Sequence, residues 1–191
     1  MKRLFPSLPD NPRLGHVFQK FPATVRPLLE FHDLALRADS ALSVAERELI
    51  AAYVSGLNSC AFCHGAHVAM AQAFGVDPAT IEALLTDVKT APVDDRLKPL
   101  LAYVAKLTHA PSRMTEADAE AVYAAGWSEQ ALFDAVQTCA IFNMMNRIVE
   151  GTGVATYPSE AGGDMSQAEI ERLQSRSYMD FGREIGVVPP R

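Results

Sequence analysis

The 191-residue sequence is poor in cysteine and lacks long apolar runs. Its three cysteines are too few for a structural disulfide framework in a chain of this length. No stretch approaches the roughly 20 consecutive apolar residues that a membrane-spanning helix requires. The basic N-terminus is interrupted by Pro6, Pro9 and Pro12, which would break the apolar core of a signal peptide. We therefore expect a cytoplasmic protein without a membrane segment.

The sequence also lacks clustered positive charge and alternating apolar patterns. Its formal net charge is -6, and the lysines and arginines are scattered along the chain. Because no basic stripe is available for phosphate groups, we expect no nucleic-acid partner. With 49% hydrophobic residues, frequent alanine and few stretches of period two, the composition favours an all-α fold.

Helical periodicity accounts for most of the chain. Residues 1–150 are predicted to form one helical domain that begins with an irregular, proline-containing arm over residues 1–20. Residues 151–191 are predicted to be a linker and a C-terminal helix at about 166–181, packed on the same domain or on a partner subunit. The helices predicted within the domain cover 22–38, 43–57, 60–74, 77–86, 94–109, 115–125 and 128–149.

Reactive side chains concentrate on the predicted helix 60–74. Cys60, Cys63 and His67 share one face of this helix, and His64 borders that face. Helical residues three apart have Cα atoms roughly 5 Å apart, which is within the range that a disulfide can bridge. The two thiols can therefore cycle between dithiol and disulfide without unfolding the helix.

The helix start also influences the acidity of these thiols. Free N–H groups and the helix dipole lower the pKa of a thiol in the first turn, and this argument favours Cys60 as the more acidic one. His67 lies one turn beyond Cys63 and could exchange protons with it. Glu48 would orient His67 if the preceding predicted helix doubles back near Asn58.

These residues match a known signature. The pattern Glu48, eleven residues, Cys60-x-x-Cys63, three residues, His67 resembles the active site of AhpD-like alkylhydroperoxidases, which belong to the carboxymuconolactone decarboxylase superfamily. Asn58 and the later run FNMMNR resemble the peroxidase-related branch of that group. The resemblance implies an AhpD-like helical bundle with the CxxC motif at the N-terminus of a helix. It also implies that the protein works as a homo-oligomer.

The resemblance further implies a thiol-dependent peroxidase acting on organic hydroperoxides or hydrogen peroxide. Cys63 would react with the peroxide and become a sulfenic acid, and Cys60 would resolve it to a disulfide. Glu48 and His67 would form the proton relay. A dithiol donor, in relatives a lipoyl-bearing protein, would then reduce the pair. No cofactor and no metal ion are implied.

One position departs from this pattern. Phe62 stands where relatives carry a histidine directly before the peroxide-reactive cysteine, and His64 follows that cysteine instead. We interpret His64, Tyr53 and Asn146 as supporting residues of the site.

The same residues leave an alternative open. Cys60, Cys63 and His67, with either His64 or Glu48, could bind zinc, although four ligands drawn mostly from one helix make an awkward tetrahedron. They could also form a non-catalytic module that senses oxidants through the two thiols.

Overall fold

The predicted all-α fold is confirmed. The computed structural model describes residues 4–155 and 165–190, and this part of the chain contains helices and turns but no strand. Two single 3-10 turns, Pro22–Thr24 and Pro111–Arg113, accompany ten α-helices. The α-helices are α1 (Leu14–Lys20), α2 (Val25–Arg37), α3 (Val44–Leu57), α4 (Ala61–Ala73), α5 (Pro78–Thr86), α6 (Leu97–His109), α7 (Glu116–Ala124), α8 (Glu129–Thr152), α9 (Gln167–Ser175) and α10 (Tyr178–Glu184). None of these described helices has the length and apolar character needed to cross a membrane.

The α3–α4 hairpin is the centre of the fold. Helix α3 begins with a capping box, in which the Ser43 hydroxyl accepts from the Glu46 N–H at 3.2 Å and the Glu46 carboxylate accepts from the Ser43 N–H at 2.6 Å. Asn58 is the C-cap of this helix, and Ser59 turns the chain through a left-handed φ of 55°. Cys60 is then the N-cap of α4, which runs back along α3. The predicted doubling back near Asn58 is therefore present.

The core surrounds α3, which packs against α4, α5, α6 and α8. All residues from Arg47 to Ser55 are buried, because helices lie on every side of this segment. Alanines such as Ala51, Ala71 and Ala135 are wholly buried, and their small side chains allow the helix backbones to approach closely. The central packing therefore depends on the alanine-rich composition noted in the sequence.

The N-terminal arm differs from the prediction. Residues 14–20, predicted to be irregular, form the two-turn helix α1. Val17 and Phe18 are buried, and the Phe18 ring lies 6.2 Å from the ring of Phe181. Such a short helix is stabilised by tertiary packing rather than by its own periodicity, so the sequence pattern did not reveal it.

The C-terminal segment also differs, because two helices replace the single one predicted at 166–181. Helix α9 ends at Ser175, and Ser177 starts α10 with its own capping box. Helix α9 packs against α4, and α10 packs against α2. A Cβ atom on Gly182 would lie 2.6 Å from the nearest side-chain atoms of Leu29 and Val188, so α10 docks at a contact that requires glycine. Most of the predicted linker lies outside the described residues.

Candidate functional site

The two thiols have different surroundings at the start of α4. Cys60 is wholly buried at the N-cap, whereas Cys63 is the third helical residue and borders a cavity. A hydrogen bond from the Cys60 thiol lowers the pKa of Cys63 to about 7; burial opposes this shift, and the charge of His67 and a hydrogen bond from Asn146 reinforce it. The same Cys60–Cys63 hydrogen bond raises the pKa of Cys60 well above its ordinary value.

Cys63 is therefore the more acidic thiol. The helix-dipole argument favoured Cys60, but the Cys60 side chain makes no capping hydrogen bond to the free N–H groups of α4, and its hydrogen bond to Cys63 and its burial raise its pKa instead. Its thiol donates a hydrogen bond to the neighbouring sulfur and must keep its proton to do so.

Glu48 joins the site from α3. Its Oε2 accepts a 2.6 Å hydrogen bond from Nδ1 of His67, and its Oε1 lies 2.6 Å from Nη1 of Arg37. The carboxylate is wholly buried. Burial alone would raise the pKa of Glu48, but the charges and hydrogen bonds of His67 and Arg37 hold it below its ordinary value. The site therefore contains an ionised carboxylate that fixes the ring of His67.

Two further residues complete the surroundings of Glu48, and neither was predicted from the sequence. Arg37 is the last residue of α2, and Tyr178 is the first residue of α10. The Tyr178 hydroxyl donates to Glu48 Oε1 at 3.4 Å, and the Arg37 guanidinium lies 5.3 Å from the centroid of the Tyr178 ring. No local motif marks either residue, because each is defined by a contact distant in sequence.

A cavity of about 280 Å³ lies over Cys63. Its lining includes Cys63, His67, Arg37 and Tyr178, which belong to three separate parts of the chain. Most of the remaining lining is apolar. Phe62, Met70, Phe142, Met145, Leu173 and Phe181 all contribute to these walls. Phe62, which replaces the histidine expected from the resemblance, is therefore part of the apolar lining of the cavity.

His32 is a further cavity residue that the sequence pattern did not reveal. The side chain is 3% exposed, and its Nδ1 donates to the carbonyl oxygen of Leu28 at 2.7 Å. Since that carbonyl can only accept, Nδ1 carries the proton in this bond. Burial lowers the pKa of His32 to about 4. The cavity wall therefore contains a histidine that is neutral at pH 7.

Asn146, interpreted from the sequence as a supporting residue, lies beside the thiols. Its amide donates to the Ser55 hydroxyl at 3.1 Å, and its carbonyl oxygen accepts from Asn58 at 2.9 Å. A hydrogen bond from the same side chain contributes to the lowered pKa of Cys63. Asn146 therefore ties α8 to the turn between α3 and α4 and to the acidic thiol.

His64 and Tyr53 do not lie at this cavity, in contrast to their predicted supporting roles. Nδ1 of His64 donates to the carbonyl oxygen of Ala52 at 2.9 Å, and Nε2 lies 3.5 Å from the Glu82 carboxylate. One residue along a helix rotates the side chain by about 100°, so His64 points away from the face that carries Cys63. Tyr53 is a buried core residue.

The geometry does not group these residues as metal ligands. Within residues 4–155 and 165–190, no set of three or more histidine, cysteine, aspartate or glutamate side chains is placed to hold a metal ion. The position of His64 explains this in part, because it removes one ligand from the zinc arrangement considered above.

Comparison with known proteins agrees with this architecture. Residues 22–106 match the profile of the carboxymuconolactone decarboxylase family. The matched region contains Glu48, both thiols of the CxxC motif and His67. The resemblance to this family is confirmed.

Two solved structures have the same helical fold. An uncharacterized peroxidase-related protein from Silicibacter sp. TM1040 is 27% identical, with a TM-score of 0.71 over 84% of this chain and 92% of its own. An alkylhydroperoxidase AhpD core protein, described as an uncharacterized peroxidase-related protein from Ralstonia eutropha JMP134, is 24% identical. Its TM-score is 0.72 over 78% of this chain and 80% of its own. No protein of curated function matches the sequence.

The carboxymuconolactone decarboxylase match covers only part of the site. Arg37 and His32 lie inside residues 22–106, whereas Asn146, Tyr178 and Phe181 lie beyond them. The part of the cavity lining that α8 and the C-terminal segment contribute therefore lies outside the matched region.

Proposed function

We propose that this protein is a thiol-dependent peroxidase that reduces organic hydroperoxides or hydrogen peroxide through a Cys60/Cys63 dithiol–disulfide cycle. One observation carries the proposal: Cys63, with a pKa of about 7, borders a cavity while the Cys60 thiol is hydrogen-bonded to it. A thiolate is the reactive form of cysteine, and a substantial fraction of Cys63 is thiolate at neutral pH.

This geometry supports the following cycle. The Cys63 thiolate attacks the terminal oxygen of a hydroperoxide, the O–O bond breaks, and the alkoxide leaves with a proton as an alcohol. Cys63 is then a sulfenic acid. The Cys60 sulfur attacks it, and the Cys60 proton with the sulfenic hydroxyl leaves as water, giving the disulfide. A dithiol donor returns two electrons and two protons to the pair and becomes a disulfide itself.

His67 and Glu48 supply the proton for the leaving alkoxide. The bond from Nδ1 to Glu48 leaves Nε2 of His67 as the ring nitrogen that can exchange a proton in the cavity. The ionised carboxylate holds the ring through Nδ1 and orients Nε2 for the proton transfer. In this proposal the His67–Glu48 pair transfers the proton without the histidine that relatives carry at the position of Phe62.

The cavity supports an organic hydroperoxide as the preferred substrate. Hydrogen peroxide would leave most of the apolar lining without a contact, whereas an alkyl or aryl group would bury it. A reductant must reach the disulfide through the same cavity, since Cys60 is wholly buried and Cys63 is only 4% exposed. A slender dithiol such as a lipoyl group suits this access better than the broad surface of a globular reductant.

The test begins with the reduced protein and one equivalent of cumene hydroperoxide under anaerobic conditions. We expect loss of two thiols per chain, and peptide mass spectrometry should locate a Cys60–Cys63 disulfide. Repeated turnover should follow when dihydrolipoamide is supplied in excess. If the thiols ignore the peroxide, the proposal fails. One stoichiometric oxidation with no turnover by any dithiol would instead favour a redox-sensing module.

We also propose a homo-oligomer. Leu34 on α2 and Phe133 on α8 are large apolar side chains that are 66% and 54% exposed in the single chain. Sedimentation analysis should give a mass that is a multiple of 20.7 kDa, and a monomer at micromolar concentration would contradict this.

A further inference from the structure

Glu48 is held on both of its oxygens by groups from three helices. His67 occupies Oε2, while Arg37 and the Tyr178 hydroxyl both bind Oε1. A buried carboxylate stays ionised only when positive charge and hydrogen bonds replace the water it has lost. Arg37 provides a permanent positive charge, and Tyr178 provides a neutral donor. The state of Glu48 therefore depends on residues outside the α3–α4 hairpin.

Helix α2 connects this carboxylate to the C-terminal segment. Asp33 lies one turn before Arg37, and its two carboxylate oxygens accept the backbone N–H groups of Tyr178 and Met179 at 2.6 and 3.0 Å. The ring of Tyr178 then packs against the guanidinium of Arg37. One face of α2 thus fixes the start of α10 and positions the arginine that binds Glu48.

We propose that Arg37 and Tyr178 are positioning residues that keep Glu48 ionised and aimed at His67, so that the reactivity of Cys63 depends on the docking of the C-terminal segment. The inference rests on the dithiol site proposed above. Glu48 holds the ring of His67 through a 2.6 Å hydrogen bond, and the charge of His67 lowers the pKa of Cys63. Loss of Arg37 or Tyr178 weakens the contacts that keep Glu48 ionised, and its effect on Cys63 passes through Glu48 and His67.

The helices packed around Glu48 and Cys63 carry further charged and titratable groups. None of these groups is changed in the variants below. They are Cys60 and His67 on α4, Glu150 on α8, His32 and Asp33 on α2, Arg47 on α3, and Arg176 between α9 and α10.

The experiment measures the alkylation of Cys63 by iodoacetamide from pH 5 to 9 in the reduced full-length protein, with mass spectrometry to quantify the modified residue. We expect Arg37→Met to move the midpoint of the pH profile upward by about one unit and to slow the reaction at pH 7 about fivefold. Tyr178→Phe, which removes only the hydroxyl, should shift it in the same direction by a smaller amount. Arg37→Lys should restore most of the wild-type profile.

Matched controls and a double variant separate positioning from general stabilisation. Arg26→Met on the exposed side of α2 and Tyr123→Phe on α7 should leave the midpoint unchanged. In a Glu48→Gln background, Tyr178→Phe should cause no further shift, because it acts through that carboxylate. An undiminished Tyr178→Phe shift in this background would overturn the inference.

A wild-type midpoint in both folded single variants would also overturn it, even if their melting temperatures fall. Circular dichroism checks that each variant is folded, and Tyr178→Phe alone decides the matter if Arg37→Met does not fold. Since no peroxide is used, a protein without peroxidase turnover would still show the expected shifts. Failure of this inference is therefore distinguishable from failure of the proposed function.

Discussion

The α3–α4 hairpin and the surrounding layer formed by α2 and the C-terminal segment contribute to the site in different ways. The hairpin brings Glu48, Cys60, Cys63 and His67 together within 20 consecutive residues, through one turn at Ser59. The outer layer contributes Tyr178, which reaches Glu48 across 130 positions of sequence. The hairpin therefore carries the two thiols, His67 and Glu48, whereas the outer layer contacts the Glu48 carboxylate and lines the cavity over Cys63.

We expect the largest effect on peroxidase turnover from a substitution inside the hairpin. Cys63→Ser should reduce peroxidase turnover to the background rate, a loss of at least about a thousandfold, because a serine hydroxyl is not ionised at neutral pH. The measurement is peroxide-dependent oxidation of dihydrolipoamide. Cys139→Ser is the matched control, since Cys139 is a buried thiol of α8 that does not line the cavity. Equal losses in the two variants would contradict the assignment of the reactive thiol.

The second effect also lies in the hairpin. Glu48→Gln keeps the shape of the side chain but removes the carboxylate charge that is hydrogen-bonded to His67, and general acid–base catalysis contributes typically about a hundredfold or more. We therefore expect kcat to fall by roughly that factor while KM changes little, because the apolar cavity remains. A rise in KM at constant kcat would instead assign Glu48 to substrate binding.

The difference between the two regions also explains what could be predicted from the sequence. The capping box at Ser43 and the spacing from Glu48 to His67 are local patterns, and they predicted the helix start and the residues that the hairpin brings together. Arg37 and Tyr178 have no such pattern, because their role arises from how α2 and α10 pack on α3 and α4.

The errors have the same origin. His64 was placed on the wrong face, because sequence spacing alone did not decide which side of α4 meets the cavity. Helix α1 was missed because burial of Val17 and Phe18, rather than a long periodic pattern, stabilises it. Each error concerns a residue whose environment is made by distant parts of the chain.

In the outer layer we expect effects on stability that depend on pH. The folded-state pKa of His32, about 4, lies below the ordinary value of 6.5, so the folded protein binds fewer protons than the unfolded chain between these values. Stability from this residue is fully present above pH 6.5 and declines as pH falls to 4, by up to about 3 kcal/mol. Urea denaturation at several pH values should show a flatter profile for His32→Phe than for wild type. The exposed His109→Phe control should retain the wild-type slope.

The smallest effect tests whether the outer layer can be loosened without changing any charged or hydrogen-bonding side chain. A methyl group at Gly182 would overlap Leu29 and Val188, and overpacking of this kind costs about 2 kcal/mol. Gly182→Ala should therefore lower the melting temperature and expose α10 to proteolysis. Gly151→Ala in α8 is the control, because a Cβ there meets nothing within 4 Å and alanine favours a helix.

Alkylation of Cys63 should also slow in Gly182→Ala, although no residue of the site has changed. The reason is that undocking of α10 withdraws Tyr178 from Glu48 and Arg37. If the segment becomes sensitive to protease while Cys63 keeps its wild-type alkylation rate, the hairpin is sufficient by itself and the outer layer serves only to cover it.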